Sequence, residues 1–394
     1  MAPKYDFDTV INRRGTSCLK YDFGMARKGR DDLLPLWVAD MDFALPDEIL
    51  DDIVSRTRHG VFGYTDPDEA YFEAVRGWYQ RRGGFTIKDE WITIAPGVVY
   101  AIACAIKAFT KPDDAVIIQQ PVYYPFAETI RQNGRKLVNN QLVYSNGSYG
   151  IDFDDFEKKI VENDVKLFIL CSPHNPVGRV WTKDELVRLG DICVNHGVYI
   201  FADEIHSDFV YPGHKHTSFM TLGDKYTEKL ILGTSPSKTF NIAGLQVANV
   251  IIPDEMTRKR YRMENLASGY SQGNTLGLEA TKSVYTKGEV WLNELLDYLW
   301  QNISYVRDFV RDNLHDVRFI EPEGTYLVWL DFSEYTDSHK DLEKLIVDEA
   351  KLWLDPGIIF GRETSLFERI NIACPRTLIR QAMEQLFEAV KRRN

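Results

Sequence analysis

Four polar side chains stand at or just beyond the ends of short apolar runs, and together their types point to one chemistry. They are Tyr123, Asn175, Asp203 and Lys238. A lysine amine can form a Schiff base with an aldehyde cofactor such as pyridoxal phosphate. The cofactor's pyridine ring then needs a carboxylate at its nitrogen to stay protonated and electron-withdrawing. Lys238 and Asp203 match these two parts.

The same cofactor needs an apolar face for its ring, a donor for its phenolic oxygen and N–H groups for its phosphate. Tyr123 is suited to the ring and Asn175 to the oxygen. The sequence Ala-Pro-Gly-Val-Val at 95–99 opens an apolar helical pattern, so the backbone of Gly97, Val98 and Val99 can bind an anion at a helix start. Ser235 and Ser237 add hydroxyl donors beside Lys238. These residues predict a pyridoxal-phosphate site.

Each of these residues also has an ordinary structural explanation. A lysine after a strand is more often a surface residue, an Asp-Glu or Asn-Pro pair is often a turn, and Tyr123 and Tyr124 could pack in a core. Their joint occurrence at successive strand ends favours the cofactor site.

Three histidines suggest a rival metal site. They are His206, His214 and His216, with Asp203 or Asp208 as a further ligand. The Gly-His-Lys-His stretch follows a proline in a turn, and the chain lacks the H-E-x-x-H helix motif, so no metal is expected. A serine hydrolase is not favoured either, since no G-x-S-x-G motif occurs.

Strands and helices alternate in the part of the chain that carries these residues. Short apolar runs predict strands at 115–118, 167–171, 198–202, 230–233 and 247–252. Helical patterns cover 98–109 and 184–195, and the second has Thr182 and Glu185 as a capping box. This alternation indicates an α/β fold with a mainly parallel sheet, whose ligand is expected at the carboxyl ends of the strands.

The pattern changes after residue 283. It predicts helices at 290–314, 341–354 and 375–393 and two strands around 324–332, which is typical of an α+β unit. The first 45 residues are irregular and are expected to lie across the other parts. We therefore predict a large cofactor-binding domain over 46–284 and a smaller α+β domain from 1–45 and 285–394.

Composition limits the classes of partner. The 394 residues carry a net charge of -11 and are 44% hydrophobic, which is typical of a globular protein and disfavours nucleic acid as the main ligand. Five widely spaced cysteines predict reduced thiols and a cytoplasmic location. No segment reads as a signal peptide or a membrane anchor.

Several motifs resemble the fold-type I pyridoxal-phosphate enzymes of the aminotransferase class I/II superfamily. More narrowly, the chain resembles the MalY/PatB group of cystathionine β-lyases, also called carbon-sulfur lyases. The matching motifs are V-A-D-M-D-F (38–43), G-Y-T (63–65), P-V-Y-Y-P-F (121–126), C-S-P-H-N-P-V-G-R-V-W (171–181), D-E-I-H (203–206), S-P-S-K-T-F-N-I-A-G (235–244), G-T-Y (324–326) and E-R-I-N-I-A (368–373). The resemblance implies a seven-stranded-type sheet with helices on both faces.

The resemblance also implies residue roles. Lys238 would hold the cofactor covalently and later move the substrate α-proton, and Asp203 would pair with the pyridine nitrogen. The remaining cofactor contacts would come from Tyr123, Asn175, His206, Gly97, Val98, Val99, Ser235 and Ser237. Arg369 would bind the substrate carboxylate, with Tyr124 and Asn175 also in the substrate site. Tyr64 would reach the phosphate region of a neighbouring subunit, which implies a homodimer with a composite active site.

Two positions depart from the wider aminotransferase pattern. Gln246 stands where many relatives have a phosphate-binding arginine, and His206 replaces the tyrosine of a D-x-x-Y motif. Both departures favour the lyase group. The expected reaction is β-elimination from a sulfur amino acid such as cystathionine, with Tyr123, Tyr124 or Tyr64 as the open candidates for protonating the leaving sulfur. An aminotransferase, and a binding or regulatory protein without turnover, are the alternatives.

Overall fold

A seven-stranded sheet forms the centre of the protein in the computed structural model, which describes residues 4–393. Fifteen strands are assigned along that part of the chain: β1 Leu34–Pro35, β2 Ile92–Ala95, β3 Ala115–Ile118, β4 Lys136–Asn139, β5 Val143–Ser145, β6 Ser148–Gly150, β7 Leu167–Cys171, β8 Tyr199–Asp203, β9 Leu230–Thr234, β10 Ala248–Ile251, β11 Arg318–Ile320, β12 Leu327–Asp331, β13 Leu352–Trp353, β14 Asp355–Pro356 and β15 Phe367–Asn371. The central sheet has the order β2-β10-β9-β8-β7-β3-β4. Strands β4, β3, β7, β8 and β9 are mutually parallel, whereas β10 runs antiparallel to both of its neighbours. The predicted, mainly parallel α/β sheet is therefore confirmed.

All five strands predicted for the large sheet exist, with small shifts at their ends. Of the two strands predicted around 324–332, β12 lies in that range, whereas its neighbour β11 lies earlier, at Arg318–Ile320. The strand predicted at 198–202 is β8, Tyr199–Asp203, so Asp203 is the last residue of the strand instead of the first residue after it. Sequence patterns missed β2 and β4, which lie at the two edges of the sheet. The edge strand β4 is only partly buried, so it lacks the continuous apolar run that marks an interior strand.

Helices cover both faces of the sheet. The α-helices assigned along residues 4–393, including those of the C-terminal part, are α1 Gly24–Lys28, α2 Asp47–Arg58, α3 Glu69–Trp78, α4 Val98–Phe109, α5 Pro125–Gln132, α6 Phe153–Asn163, α7 Lys183–Asn195, α8 Pro236–Thr239, α9 Glu255–Ala267, α10 Thr275–Lys287, α11 Glu289–Asn313, α12 His339–Glu343 and α13 Arg376–Arg393. Residues along β7 alternate between two hydrophobic clusters: Leu167 and Ile169 pack with α4, whereas Phe168 and Leu170 belong to the cluster on the other face. The predicted capping box of Thr182 and Glu185 begins α7.

The C-terminal part contains a second, antiparallel sheet of order β11-β12-β15-β14, with the long helices α11 and α13. The predicted helix at 341–354 is wrong in its last third. The helix continues from α12 only through a π-helical segment, Lys344–Glu349, and Lys351 then takes a left-handed backbone with φ of 56°. Strand β13 comes directly after it, because Leu352 and Trp353 pair in parallel with β1 of the N-terminal segment.

The N-terminal segment lies across both sheets. Met41 exchanges hydrogen bonds with the Asn241 side chain next to the central sheet, and the N–H of Asp42 bonds to Ala373 after β15. The division into domains at 46–284 and at 1–45 with 285–394 stays a prediction, and residues 1–3 and 394 of the smaller unit lie outside the described residues. Among residues 4–393, none of the helices combines the length and the apolar character needed to cross a membrane.

Candidate active site

A cavity of about 470 Å³ opens at the carboxyl ends of β7, β8 and β9. We call it the central cavity. It is lined by Ala39, Pro96, Gly97, Val98, Val99, Tyr100, Tyr123, Cys171, Asn175, Asp203, Ile205, His206, Ser237, Lys238, Ala243, Gln246 and Val247. This is the edge at which parallel α/β sheets place their ligands, and the volume suits a small organic molecule.

Lys238 lies in the short helix α8, directly after β9. Its Nζ donates a hydrogen bond of 2.6 Å to the carbonyl oxygen of Ala39 in the N-terminal segment. Burial lowers the pKa of this lysine to about 8, because a cation is poorly solvated there. The amine is therefore close to the neutral form that a nucleophile or a base needs.

Asp203 faces Lys238 from the end of β8. The carboxylate accepts a hydrogen bond from the N–H of Ile205 at 3.1 Å, and burial raises the pKa of the acid to about 7. A buried carboxylate with this little stabilisation favours a cationic partner, since an opposite charge offsets the desolvation. A protonated ring nitrogen is such a partner.

Two further predicted residues complete the walls near this carboxylate. Tyr123 precedes α5, and burial raises the pKa of its phenol, so the ring stays neutral. Asn175 follows β7, and its Oδ1 accepts a hydrogen bond of 2.9 Å from Nη1 of Arg369. Its side-chain NH₂ group can still donate to a ligand oxygen.

The start of α4 forms one end of the cavity. Gly97 precedes the helix and no side chain caps it, so the N–H groups of the first turn, including those of Val98 and Val99, have no intrahelical acceptor. A Cβ at Gly97 would meet no protein atom within 4 Å, so only the missing side chain keeps this space open. Ser237 also lines this cavity.

Ser235 does not line the cavity. Its hydroxyl donates to the carbonyl oxygen of Val247 at 2.6 Å and accepts from the N–H of Ser237 at 3.0 Å. It therefore fixes the turn that carries Lys238, and a contact of Ser235 with the cofactor stays a prediction.

Arg369 lies behind the cavity wall on β15 and is almost fully buried. Its guanidinium donates to Asn175, to the carbonyl oxygen of Trp37 at 2.8 Å and to the carboxylate of Asp355. Tyr124 packs beside Tyr123, with ring centroids 5.5 Å apart, and like Arg369 it is outside the lining residues.

Tyr64 is not part of the central cavity of its own chain. Its side chain is 96% exposed and borders a separate surface depression formed by 62–64 and 269–276. Any contact of Tyr64 with a cofactor would have to involve another chain.

The three histidines of the rival metal site have separate surroundings. His206 lines the central cavity, and burial lowers its pKa to about 3. Nε2 of His216 lies 3.1 Å from Glu204, and Nδ1 of His214 lies 3.9 Å from Glu323. Within residues 4–393, no group of three or more potential ligands is close enough to hold a metal ion.

Sequence reasoning gives no site role to several lining residues. In the sequence, Ala39 belongs to a motif that marks only the family resemblance, and Gln246 is notable only for replacing an arginine. Gln246 lines the cavity with a left-handed backbone, φ of 51°, an uncommon conformation for a residue other than glycine. Asp355 carries no signal in the sequence, because its contact with Arg369 depends on the pairing of two strands.

The donor set of the cavity fits pyridoxal phosphate. It combines an amine of lowered pKa, a buried carboxylate that forms no ion pair within residues 4–393, an aromatic wall, an amide and an uncapped helix start. These are the groups that the aldehyde, ring nitrogen, ring face, phenolic oxygen and phosphate require.

Comparisons with known proteins point to the same cofactor. The family model "Aminotransferase class I and II" matches residues 31–386. "Cystathionine beta-lyase PatB" of Bacillus subtilis (strain 168) is 40% identical over 385 residues, covering 98% of this chain and 100% of that protein. "Protein MalY" of Escherichia coli (strain K12) is 32% identical and covers 98% of this chain and 99% of its own. The crystal structure of cystalysin from Treponema denticola, which contains pyridoxal 5'-phosphate, has a TM-score of 0.96 at 38% identity and covers 99% of this chain and 100% of that one.

Proposed function

The chain belongs to the aminotransferase class I and II family and, within it, to the MalY/PatB group that its motifs predict, and from this premise we propose that it is a pyridoxal-phosphate-dependent carbon-sulfur β-lyase. The proposed reaction is α,β-elimination from cystathionine or a related sulfur amino acid. With water, the substrate is converted to pyruvate, ammonia and a thiol, so the carbon-sulfur bond is broken without net oxidation or reduction.

One observation carries the proposal: Lys238 and Asp203 face the same cavity with pKa values shifted in opposite directions by burial. Each shift suits its role. The lysine is able to lose its proton near neutral pH, and the carboxylate gains from a cationic partner.

Pyridoxal phosphate, when bound, supplies an electron sink that stabilises negative charge at the substrate Cα. Lys238 first gives up its hydrogen bond to Ala39, and its Nζ later takes the proton from Cα. Asp203 would pair with the ring nitrogen of the bound cofactor and favour its protonated form. Arg369 binds the substrate α-carboxylate, which fixes the Cα–H bond relative to Lys238.

A proton donor for the leaving sulfur is still needed. Tyr123 and Tyr124 are neutral phenols at or beside the cavity, since burial raises the pKa of both. Tyr64 is the third candidate and would act from a partner chain.

The proposal includes a homodimer and a cytoplasmic location. Val61 and Phe62, three and two residues before Tyr64 in the chain, are apolar and are 63% and 57% exposed. Such a patch favours contact with another protein surface, and a second copy would bring its own Tyr64 with it. The five cysteines are unpaired, as in proteins of reducing compartments.

A turnover panel tests the function. Purified protein loaded with pyridoxal phosphate is mixed separately with L-cystathionine, L-cysteine, L-cystine and L-alanine, and pyruvate and free thiol are measured. We expect pyruvate from all three sulfur amino acids, accompanied by an equal amount of homocysteine thiol from cystathionine, by sulfide from cysteine and by a persulfide from cystine. Neither pyruvate nor a sulfur product is expected from alanine. Accumulation of pyridoxamine phosphate without thiol would contradict the lyase proposal and identify an aminotransferase.

A further inference from the structure

Asp355 and Arg369 form an ion pair that is built into the smaller sheet. They are directly opposite each other in the antiparallel pair β14 and β15, and the Asp355 carboxylate contacts Nη2 of Arg369. Both side chains are at most 9% exposed. Cross-strand partners share one face of a sheet, so the register itself holds the acid against the guanidinium.

The hydrogen bonds of Arg369 leave no free pair of neighbouring donors. Both hydrogens of Nη2 are taken, one by Asp355 and one by the carbonyl oxygen of Trp37. One hydrogen of Nη1 goes to Asn175, and Nε–H is buried without a partner. The free donors are thus one on Nη1 and one on Nε, which point to different edges of the guanidinium.

A carboxylate that binds in two-pronged fashion needs two parallel donors on one edge, and every such edge of arginine includes Nη2. An incoming carboxylate must therefore replace either Trp37 or Asp355. The Trp37 carbonyl is backbone next to β1, which pairs with β13, so moving it would disturb the chain. The Asp355 side chain can leave by rotation alone.

The charges around Asp355 determine its protonation state once it is displaced. Arg369 is its main cation, and Lys28 of α1 is a weaker one that also lies 3.8 Å from Glu343. The acidic Glu368 and the phenol of Tyr124 are within electrostatic range. Burial already raises the pKa of Asp355 while it is paired.

We propose that the substrate carboxylate displaces Asp355 from Arg369 and that Asp355 takes up a proton as it is displaced. Two carboxylates beside one buried guanidinium cannot both stay ionised without a large cost. The inference rests on the proposed role of Arg369 in carboxylate binding. It adds that this binding is linked to protonation, so the affinity for the carboxylate decreases as pH rises.

The test uses a carboxylate that cannot react. The holoenzyme is titrated with 3-(methylthio)propanoate, which has no amine, by calorimetry in two buffers of different ionisation enthalpy. The difference between the binding enthalpies in the two buffers gives the number of protons taken up on binding. Any change in the protonation of the cofactor is followed through its visible absorbance and is subtracted from that number. We expect wild type to take up about one proton more than Asp355→Asn, and its Kd to rise up to about tenfold per pH unit while that of the variant stays flat.

Glu368→Gln is the matched control, because Glu368 is the neighbouring buried acid on β15 but points to the other face of the strand. It should keep the proton uptake of wild type. Equal uptake by wild type and Asp355→Asn, or a loss confined to Glu368→Gln, would overturn the proposal.

Asp355→Glu retains a carboxylate and should restore the uptake. If Asp355→Asn does not fold, the neutral probe 3-(methylthio)propanamide with wild type replaces it, and equal proton counts for the two probes would overturn the proposal. The probe is not a lyase substrate, so the number of protons taken up does not depend on the result of the turnover panel.

Discussion

Nζ of Lys238 lies 2.6 Å from the carbonyl oxygen of Ala39, a residue 199 positions earlier in the chain. The same carbonyl accepts a hydrogen bond of 3.0 Å from the hydroxyl of Tyr326. The N-terminal segment therefore holds the side chain of the proposed catalytic lysine through this carbonyl oxygen. Lys238 is therefore the first residue to test by substitution.

Lys238→Ala is expected to abolish both the cofactor's visible absorbance band at about 420 nm and the lyase activity, because Lys238 is the one lysine among the described residues that lines the central cavity. The loss of turnover should be at least about 10³-fold, since one residue supplies both the attachment point and the base. Absorbance spectra and the pyruvate assay check this. Lys225→Ala, at an exposed lysine paired with Asp191, is the control and should behave as wild type. An unchanged band in Lys238→Ala would rule out the cofactor site.

Asp203 gives a prediction about pH and stability. Its pKa is near the ordinary 3.8 in the unfolded chain and about 7 in the folded, cofactor-free protein. Between those values the folded state binds the extra proton, so the stability of the cofactor-free protein should fall as pH rises from about 4 to about 7. Asp203→Asn should remove this contribution.

Thermal unfolding of the cofactor-free wild type and Asp203→Asn at several pH values measures the effect. The difference between the two midpoints should grow in favour of the variant as pH rises through this window. Adding pyridoxal phosphate to wild type should reduce the dependence, because a ring cation would hold the carboxylate ionised. Parallel pH curves for the two proteins would contradict the prediction.

The interior of the large sheet and most of the cavity were predictable from sequence. Strands such as β7 are continuous apolar runs, and polar residues at or shortly after the carboxyl end of such a run are candidates for the ligand edge. Asn175, Asp203 and Lys238 line one cavity as that rule predicts, whereas Ser235, which directly follows β9, does not. Edge strands such as β4 were missed because many of their side chains are partly exposed, so their sequences lack the continuous apolar run that marks an interior strand.

Contacts between distant segments could not be predicted. Leu352 and Trp353 form strand β13, which pairs with β1, where the sequence predicts the end of the helix at 341–354. Nothing in these two residues alone indicates a partner 318 residues away. The contact of Asp355 with Arg369 depends on the register of two strands. The hydrogen bond from the Ser235 hydroxyl to the carbonyl oxygen of Val247 likewise depends on the pairing of β9 with β10.

A buried charge cluster anchors the N-terminal segment. Lys20 has a side chain that is 0% exposed, and its Nζ lies 2.8 Å from Asp42, which also binds Arg13 at 2.7 Å. Asp42→Ala leaves a buried lysine without its main partner, so we expect a loss of about 3–5 kcal/mol in the free energy of unfolding. Urea unfolding measures it. Asp154→Ala is the control: it removes the exposed ion pair with Arg188 and should leave the free energy of unfolding unchanged. Similar losses of stability in Asp42→Ala and Asp154→Ala would contradict the role given to burial.

The composite active site is tested by mixing two inactive variants. Suppose that Tyr64 of one chain contacts the active site of its partner. A Tyr64→Ala chain then still has all the residues of its own central cavity, and a Lys238→Ala chain can still place its Tyr64 at the site of its partner. A heterodimer of the two then has one site with both groups intact and one with neither. Random exchange of subunits should restore about a quarter of the wild-type activity, because half of the dimers are mixed and each has one working site of two.

The measurement is pyruvate release after the two variants are unfolded together and refolded with pyridoxal phosphate. Each variant refolded alone is the control and should stay near its own low rate. Sedimentation of wild type should show a dimer, as the exposed apolar side chains beside Tyr64 favour. If the activity of the mixture equals the mean of the two variants, Tyr64 acts either within its own chain or not at all. Its side chain is 96% exposed and borders a depression separate from the cavity of Lys238. Such a result would therefore mean that Tyr64 has no part in the reaction.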